Sequence, residues 1–134
     1  MTNAITQGLH HVGLTVSNLE ASAAFFTSVL GWQEVRRNDE YPAIFVSDGS
    51  IMLTLWQTKE APVVSFNKNQ NVGLHHVAFQ VATESDLDKL HATLVKQNVP
   101  VEFAPELVRQ GPAKHLMCYE PRGIRVDFIW PGNA

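Results

Sequence analysis

The sequence predicts an α+β fold made of two βαβββ modules, and two internal echoes are the main reason. The segment 9–16, LHHVGLTV, returns as LHHVAFQV at 74–81, an offset of 65 residues. The segment 49–56, GSIMLTLW, returns as GIRVDFIW at 123–130, an offset of 74 residues. A repeated order of elements indicates duplicated structural units. We expect one domain over residues 1–134, with module one at about 8–58, a linker at 59–72 and module two at about 73–131.

Each module opens with a strand and a helix. In module one, Val12, Leu14 and Val16 alternate with smaller or polar residues, which is typical of a strand with one buried face. Apolar residues then recur at helical spacing. In module one they are Leu19, Ala23, Phe26 and Leu30, and in module two they are Leu87, Leu90 and Leu94.

The helix ends are also marked in the sequence. Ser17 and Glu20 fit a capping box at the start of the first helix. Gly31 fits the left-handed residue that ends it, and Asn98 takes that place in the second helix. Three short strands then complete each module. We expect them at 32–37, 42–47 and 50–57, and at 101–104, 113–119 and 124–130.

Composition excludes several functions. Ten Lys and Arg against thirteen Asp and Glu give a net charge of −3, which argues against binding to nucleic-acid phosphates. No apolar run approaches the ~20 residues of a membrane helix, and residues 1–8 lack the pattern of a signal peptide. The single cysteine, Cys118, fits a reducing compartment. We expect a soluble cytoplasmic protein that binds neither nucleic acid nor membrane.

The alternation of strand side chains leaves one sheet face without a helix. With the apolar residues under the helices, His11, His76 and Asp127 point to that uncovered face. His10 and His75 then fall on the helix side. Two imidazoles and one carboxylate on one surface are the donor set of a divalent-metal site with open positions.

The same residues have a simpler interpretation. A strand histidine often only packs, and Arg125 lies two residues from Asp127 on the same face, where the two can pair. The 74-residue echo places Leu53 at the module-one position equivalent to Asp127, so module one offers no fourth ligand. The pattern of residues alone leaves the metal site and the packing interpretation open.

Three residues near the last strand are catalytic candidates: Lys114, His115 and Tyr119. Lys114 or His115 can contact an anionic substrate or move a proton, or the two form a surface pair. Tyr119 lines a pocket or packs in the core. Gln57, at the end of its strand, is a weaker candidate for a metal ligand. Cys118 carries no nucleophile motif, so we expect a buried, inert thiol.

Four segments carry a family resemblance: residues 11–19 (HVGLTVSNL), 25–32 (FFTSVLGW), 76–79 (HVAF) and 120–128 (EPRGIRVDF). The chain resembles the vicinal-oxygen-chelate superfamily, which contains glyoxalase I, bleomycin-resistance proteins, fosfomycin-resistance thiol transferases and extradiol dioxygenases. The resemblance implies an open, cup-shaped mixed sheet around a divalent metal, with the helices outside. It places ligands on the first and last strand of each module, at His11, Leu53, His76 and Asp127, of which Leu53 cannot bind.

The resemblance also implies a function. We expect a metal-dependent enzyme, using iron, manganese, nickel or zinc, that acts on a small substrate chelating the metal through adjacent oxygens. Leu53 argues against ordinary glyoxalase I activity, and lyase, isomerase, transferase and dioxygenase reactions stay open. The alternative is a metal-free protein that sequesters a small molecule, as bleomycin-resistance proteins do. The resemblance implies a homodimer, and no charge run, exposed heptad or low-complexity tail supports a purely structural role.

Overall fold

The computed structural model describes residues 3–133. The chain divides into two compact units, Met1–Val63 (unit 1) and Val64–Ala134 (unit 2). The boundary between them falls inside the stretch 59–72 that the sequence predicts as a linker. None of the helices within residues 3–133 has the length and apolar character needed to cross a bilayer.

Unit 1 is a four-stranded mixed sheet with one helical segment. Its elements in chain order are β1 His11–Val16, α1 Leu19–Ala24, a π-helical turn Phe25–Val29, β2 Gln33–Asn38, β3 Ala43–Ser47 and β4 Met52–Gln57. The strand order is β1-β4-β3-β2, with β1 parallel to β4 and the other pairs antiparallel.

Unit 2 repeats this plan. Its elements are β5 Val77–Gln80, α2 Glu84–Lys96, β6 Val101–Leu107, β7 Lys114–Tyr119 and β8 Arg125–Trp130. The strand order is β5-β8-β7-β6, with β5 parallel to β8. The predicted α+β fold of two βαβββ modules is therefore confirmed.

Each helix covers one face of its own sheet with apolar side chains. In unit 1 the buried residues include Leu14, Val16, Phe26, Ile44, Leu53 and Leu55. In unit 2 they include Phe79, Leu87, Leu94, Leu116, Val126 and Phe128. Phe26, Leu87 and Leu94 belong to the helical segments, and the others stand at alternate positions of their strands, as one-sided burial of a sheet requires.

The helix ends differ in part from the prediction. Asn18, and not Ser17, caps α1, since its side-chain oxygen accepts a hydrogen bond from the Ala21 amide at 3.1 Å. The predicted capping box of Ser17 and Glu20 is therefore wrong by one residue. Gly31 and Asn98 do take positive φ angles, of 77° and 59°, after their helices. These two left-handed residues end the helices as the sequence predicts.

Candidate functional site

The uncovered face of the unit 2 sheet is set by the register of its strands. Met117 of β7 and Ala78 of β5 are both paired with Asp127 of β8, from opposite sides. Paired residues of neighbouring strands share a face, so these three side chains share the face opposite α2. His76 directly precedes β5, and continued alternation from Ala78 puts position 76 on that face as well.

Asp127 is a buried carboxylate held by a histidine. It is only 4% exposed, and its Oδ2 lies 2.8 Å from His115 Nδ1. An ionised carboxylate only accepts hydrogen bonds, so the proton of this bond belongs to His115 Nδ1. The ring of His115 also packs against Phe103, with 4.8 Å between ring centroids. His115 is thereby oriented from two sides.

The second oxygen of Asp127 has no such partner. Asp127 Oδ1 is buried, and within residues 3–133 it has no hydrogen-bond partner. Leaving a buried charged oxygen unsatisfied is costly, so a position like this one suits a cation or a donor from a ligand. Carboxylate and imidazole are donor types that divalent transition metals prefer, so a cation is one chemical partner that this oxygen could take.

Arg125 does not pair with Asp127, which corrects one of the interpretations drawn from the sequence. Its guanidinium binds Glu102 of β6 through Nε–Oε1 at 3.1 Å and Nη2–Oε2 at 2.9 Å. The hydroxyl of Tyr119 donates to the same carboxylate. The hydrogen bonds from Arg125 and Tyr119 lower the pKa of Glu102 to about 2. Tyr119, predicted as a catalytic candidate, is therefore engaged in this network.

The same guanidinium reaches the double-histidine segment. Arg125 Nη1 lies 3.2 Å from both His75 Nδ1 and the His75 carbonyl oxygen. His75 Nδ1 in turn lies 2.8 Å from His76 Nδ1. Desolvation and the charge of Arg125 lower the pKa of His75, which favours its neutral form. The predicted helix-side position of His75 is wrong, because its ring contacts residues of the opposite face.

Lys114 is held on the other side of β7. It forms an ion pair with Glu84, the first residue of α2, and this pair raises the pKa of Lys114. Neighbouring residues of a strand point to opposite faces, so Lys114 and His115 do not share a surface. The ion pair ties β7 to the helix that covers its sheet.

In unit 1 the register corrects the predicted equivalent of Asp127. Gly13 of β1 corresponds to Ala78 in the first echo, and it is paired with Thr54 of β4. Thr54 is therefore the structural counterpart of Asp127, and Leu53 is not. Leu53 has no exposed surface and lies in the core. The sequence echo is displaced by one residue in this strand, and a shift of one residue exchanges the faces.

The hydroxyl group of Thr54 has hydrogen-bond partners in unit 1. Its Oγ1 accepts the indole N–H of Trp56 at 2.9 Å and lies 3.5 Å from the Val12 carbonyl oxygen. A Cβ atom at Gly13 would come within 3.1 Å of the same oxygen, so Gly13 leaves the room that this contact needs. The position equivalent to Asp127 thus carries a partnered hydroxyl and no carboxylate.

Trp56 belongs to an aromatic cluster on the uncovered face of unit 1. Its ring lies 5.0 Å from that of Tyr41 and 5.7 Å from that of Phe45. Lys59 Nζ sits 3.6 Å from the Tyr41 ring centroid, and the Arg36 guanidinium sits 5.6 Å from that of Phe45. Neither cation forms an ion pair with any residue in the range 3–133. This surface suits a flat, electron-rich ligand.

Two weaker candidates have structural roles. Gln57 accepts a hydrogen bond from the Leu19 amide at 2.8 Å and donates to the Ser17 carbonyl at 2.9 Å, so it fixes the start of α1. Cys118 has no exposed surface, and burial together with the charge of Asp127 raises its pKa to about 12. It has the properties of an inert thiol, as the sequence predicts.

The structure therefore brings together some of the predicted site residues. His115 and Asp127 are in contact, whereas Lys114 and Tyr119 are bound to Glu84 and Glu102. Within each unit, no three His, Cys, Asp or Glu side chains among residues 3–133 converge on one point. Sequence reasoning missed Glu102, which lies on the edge strand β6 at the register shift between Val101 and Phe103. No local pattern marks that contact.

The fold and this polar face define the class of protein. The model of the Glyoxalase/Bleomycin resistance protein/Dioxygenase superfamily matches residues 8–128. The chain belongs to this superfamily, as its resemblance to the vicinal-oxygen-chelate proteins implies.

Three relatives illustrate its range. The uncharacterized protein YqjC of Bacillus subtilis (strain 168) is 32% identical over 92% of this chain and 91% of its own length. The human mitochondrial methylmalonyl-CoA epimerase is 30% identical over 69% of this chain and 59% of its own length. The manganese-dependent 2,3-dihydroxybiphenyl 1,2-dioxygenase of Geobacillus genomosp. 3 is 22% identical over 90% of this chain and 35% of its own length.

Solved structures share the fold at lower sequence identity. A glyoxylase/bleomycin resistance protein/dioxygenase domain from Frankia sp. EAN1pec has a TM-score of 0.84 at 23% identity, covering 96% of this chain and 95% of that one. The fosfomycin resistance protein FosX from Listeria monocytogenes has a TM-score of 0.72 at 16% identity, covering 94% of both chains.

Proposed function

We propose that this chain is a divalent-metal-dependent enzyme that acts on a small substrate with adjacent oxygen atoms. The observation that carries the proposal is the divided environment of Asp127. One of its oxygens binds His115, and the other is buried with no partner within residues 3–133. A carboxylate in this state can bind a cation and orient a neighbouring histidine at the same time.

The proposed ligands in unit 2 are His76 and Asp127, and His11 stays the ligand that the sequence predicts on unit 1. They are two neutral imidazoles and one carboxylate, a donor set that suits iron, manganese, nickel or zinc and leaves positions for substrate. A bound divalent ion would act as a Lewis acid on substrate oxygens and stabilise an enolate or alkoxide. The manganese dependence in the name of the dioxygenase relative supports a metal of this kind.

His115 is the proposed proton-transfer residue. Because its Nδ1–H donates to Asp127, the neutral ring keeps its lone pair on Nε2, where it can accept a proton from substrate. Phe103 limits the rotation of the ring. Lys114 and Tyr119 have no part in proton transfer in this proposal, because their polar atoms are bound to Glu84 and Glu102.

The proposal does not choose among lyase, isomerase, transferase and dioxygenase reactions. Enolate and alkoxide stabilisation is common to several of them, and the family hosts many chemistries. Thr54 at the place of a second carboxylate argues against a mechanism that needs acidic ligands from both units. We also propose that the protein is a cytoplasmic homodimer. Its single cysteine fits a reducing compartment, and the resemblance to dimeric relatives supports the homodimer.

Metal content measured by plasma mass spectrometry tests the proposal. The untagged wild-type protein should carry stoichiometric metal after anaerobic reconstitution with Fe²⁺, Mn²⁺, Ni²⁺ or Zn²⁺, and His76→Ala should lose it. His91→Ala, which removes a histidine from α2, is the matched control and should keep the metal. A wild-type protein that retains none of the four ions would overturn the proposal.

A metal-free binding protein is the second candidate, favoured by the aromatic cluster of unit 1. Tyr41, Phe45 and Trp56 form a surface flanked by two cations that lack ion pairs within residues 3–133. A protein that only sequesters a ligand needs such a surface and no metal. In that case, chelator-treated protein would gain thermal stability from an aromatic ligand, and Trp56→Ala would remove the gain.

A further inference from the structure

We propose that Arg125 and His75 are positioning residues that fix the tautomer of His76 and leave its Nε2 unprotonated. The consequence for metal binding rests on the proposed function. The tautomer itself is a property of the metal-free chain, and it can be measured there.

Arg125 is a rigid donor. Its side chain is 10% exposed, and two hydrogen bonds to Glu102 hold the guanidinium in place. A third bond, from Nη1 to the His75 carbonyl oxygen at 3.2 Å, fixes it against the backbone before β5. Paired guanidinium and carboxylate groups have a defined geometry, so Nη1 is aimed at His75.

The tautomer of His75 follows from this donor. Arg125 Nη1 also lies 3.2 Å from His75 Nδ1. A guanidinium carries only donors, so His75 Nδ1 must accept. The neutral ring of His75 therefore carries its proton on Nε2.

The tautomer of His76 follows from that of His75. The two Nδ1 atoms lie 2.8 Å apart, and His75 Nδ1 has no proton to offer. The contact is a hydrogen bond only if His76 Nδ1 donates, because two facing lone pairs would repel, and His75 Nδ1 then shares its single lone pair between Arg125 and His76. His76 Nε2 then keeps its lone pair, which is the form in which an imidazole binds a metal.

Unit 1 provides an internal comparison. His10 Nδ1 and His11 Nδ1 lie 3.0 Å apart, so the histidine pair is repeated. Met52, the register partner of His11, stands where unit 2 has Arg125. Within residues 3–133 no arginine donates to His10, so nothing chooses the direction of the bond in unit 1. The inference predicts one defined tautomer at His76 and none imposed at His11.

Long-range ¹H–¹⁵N correlation spectra of the imidazole rings test this in the metal-free protein. They are recorded at about pH 8.5, two units above the ordinary histidine pKa of about 6.5, so that neutral rings dominate. We expect the protonated nitrogen of His76 to be Nδ1. In Arg125→Met the His76 signals should move to the average of two tautomers. In Arg122→Met, which changes an exposed arginine of the preceding turn, they should stay.

If Arg125→Met does not fold, His75→Ala is used in its place, because a substitution at the exposed His75 should leave the fold intact. It removes the acceptor, and the His76 signals should average in the same way. A His76 that carries its proton on Nε2, or signals that stay unchanged in His75→Ala, would overturn the inference.

Mn²⁺ titration of the same proteins separates this inference from the proposed function. Loss of the preset tautomer should weaken Mn²⁺ binding by about 10-fold, a typical effect of removing a group that orients a ligand. An Nδ1-protonated His76 in a protein that binds no metal would uphold the inference and overturn the proposed function. If the protein binds Mn²⁺, but His76 in the metal-free protein carries its proton on Nε2, the inference is overturned and the proposed function stands.

Discussion

His115 Nδ1 lies 2.8 Å from Asp127 Oδ2, across the β7–β8 pair. The two residues are diagonal neighbours, because Asp127 is the register partner of Met117 and His115 precedes Met117 by two positions. They therefore share a face, and long polar side chains reach each other at such a spacing. This contact leaves one oxygen of the buried carboxylate, Oδ1, without a hydrogen-bond partner within residues 3–133.

The strength of this contact can be measured by a double-mutant cycle. His115→Phe should lower the free energy of unfolding by about 1–3 kcal/mol, because it removes the hydrogen-bond partner of Asp127 Oδ2. In an Asp127→Leu background the same change should cost much less. Equal costs in both backgrounds, measured by urea denaturation, would show that the two side chains are not coupled.

The sequence predicts the fold well, because burial on one face of a strand leaves a pattern in the residues themselves. Alternation alone places Asp127 on the face opposite the helix, whereas the sequence does not predict its contact with His115. The same argument fails at Leu53, where matching the two last strands by sequence shifts the register by one residue. In the register of the structure, Leu53 and Leu55 are equivalent to Val126 and Phe128, and the pairing with β1 and β5 is what shows this.

The corrected register predicts different costs for two neighbouring substitutions. Leu53→Asn should lower the free energy of unfolding by about 3 kcal/mol or more, since it places a polar group under the helix and removes a buried side chain. Thr54→Asn should cost about 1 kcal/mol, since its oxygen can still accept from Trp56. Guanidinium denaturation measures both. A larger cost at Thr54 than at Leu53 would contradict the register.

Contacts between distant residues are what the sequence could not predict. Arg125 lies two residues from Asp127, but it pairs with Glu102, 23 residues away in the chain. The position of Glu102 depends on the register shifts of β6, and these follow from packing rather than from a local pattern. The tautomer-setting role of His75 depends on the same arginine.

The ion pair of Glu102 should appear in the pH dependence of stability. Its pKa falls from 4.5 to about 2 in the folded protein, so its contribution is complete above pH 4.5 and is lost as the pH falls toward 2. Glu102→Gln should therefore lose less stability than the wild type across this window. Glu106→Gln, on the same strand and without an ion pair within residues 3–133, should behave as the wild type. Thermal unfolding at a series of pH values makes the comparison, and identical wild-type and Glu102→Gln profiles would contradict the assignment.

Cys118 should be unreactive in the folded protein. Burial and the charge of Asp127 raise its pKa to about 12, so almost no thiolate exists at neutral pH. A disulfide reagent at about pH 8, close to the ordinary thiol pKa of about 8.5, should modify it only after unfolding in guanidinium. Fast stoichiometric modification of the native protein would show that the thiol is accessible.

The central claim is that the unpartnered oxygen of Asp127 binds a divalent cation. Isothermal titration of Mn²⁺ into metal-free protein tests it most directly, with Asp127→Asn beside the wild type and Asp88→Asn, an exposed change on α2, as control. We expect one site per chain in the wild type and in Asp88→Asn, and no measurable binding in Asp127→Asn, because the carboxamide keeps the shape and removes the charge. Equal Mn²⁺ affinity in Asp127→Asn and in the wild type would contradict the claim.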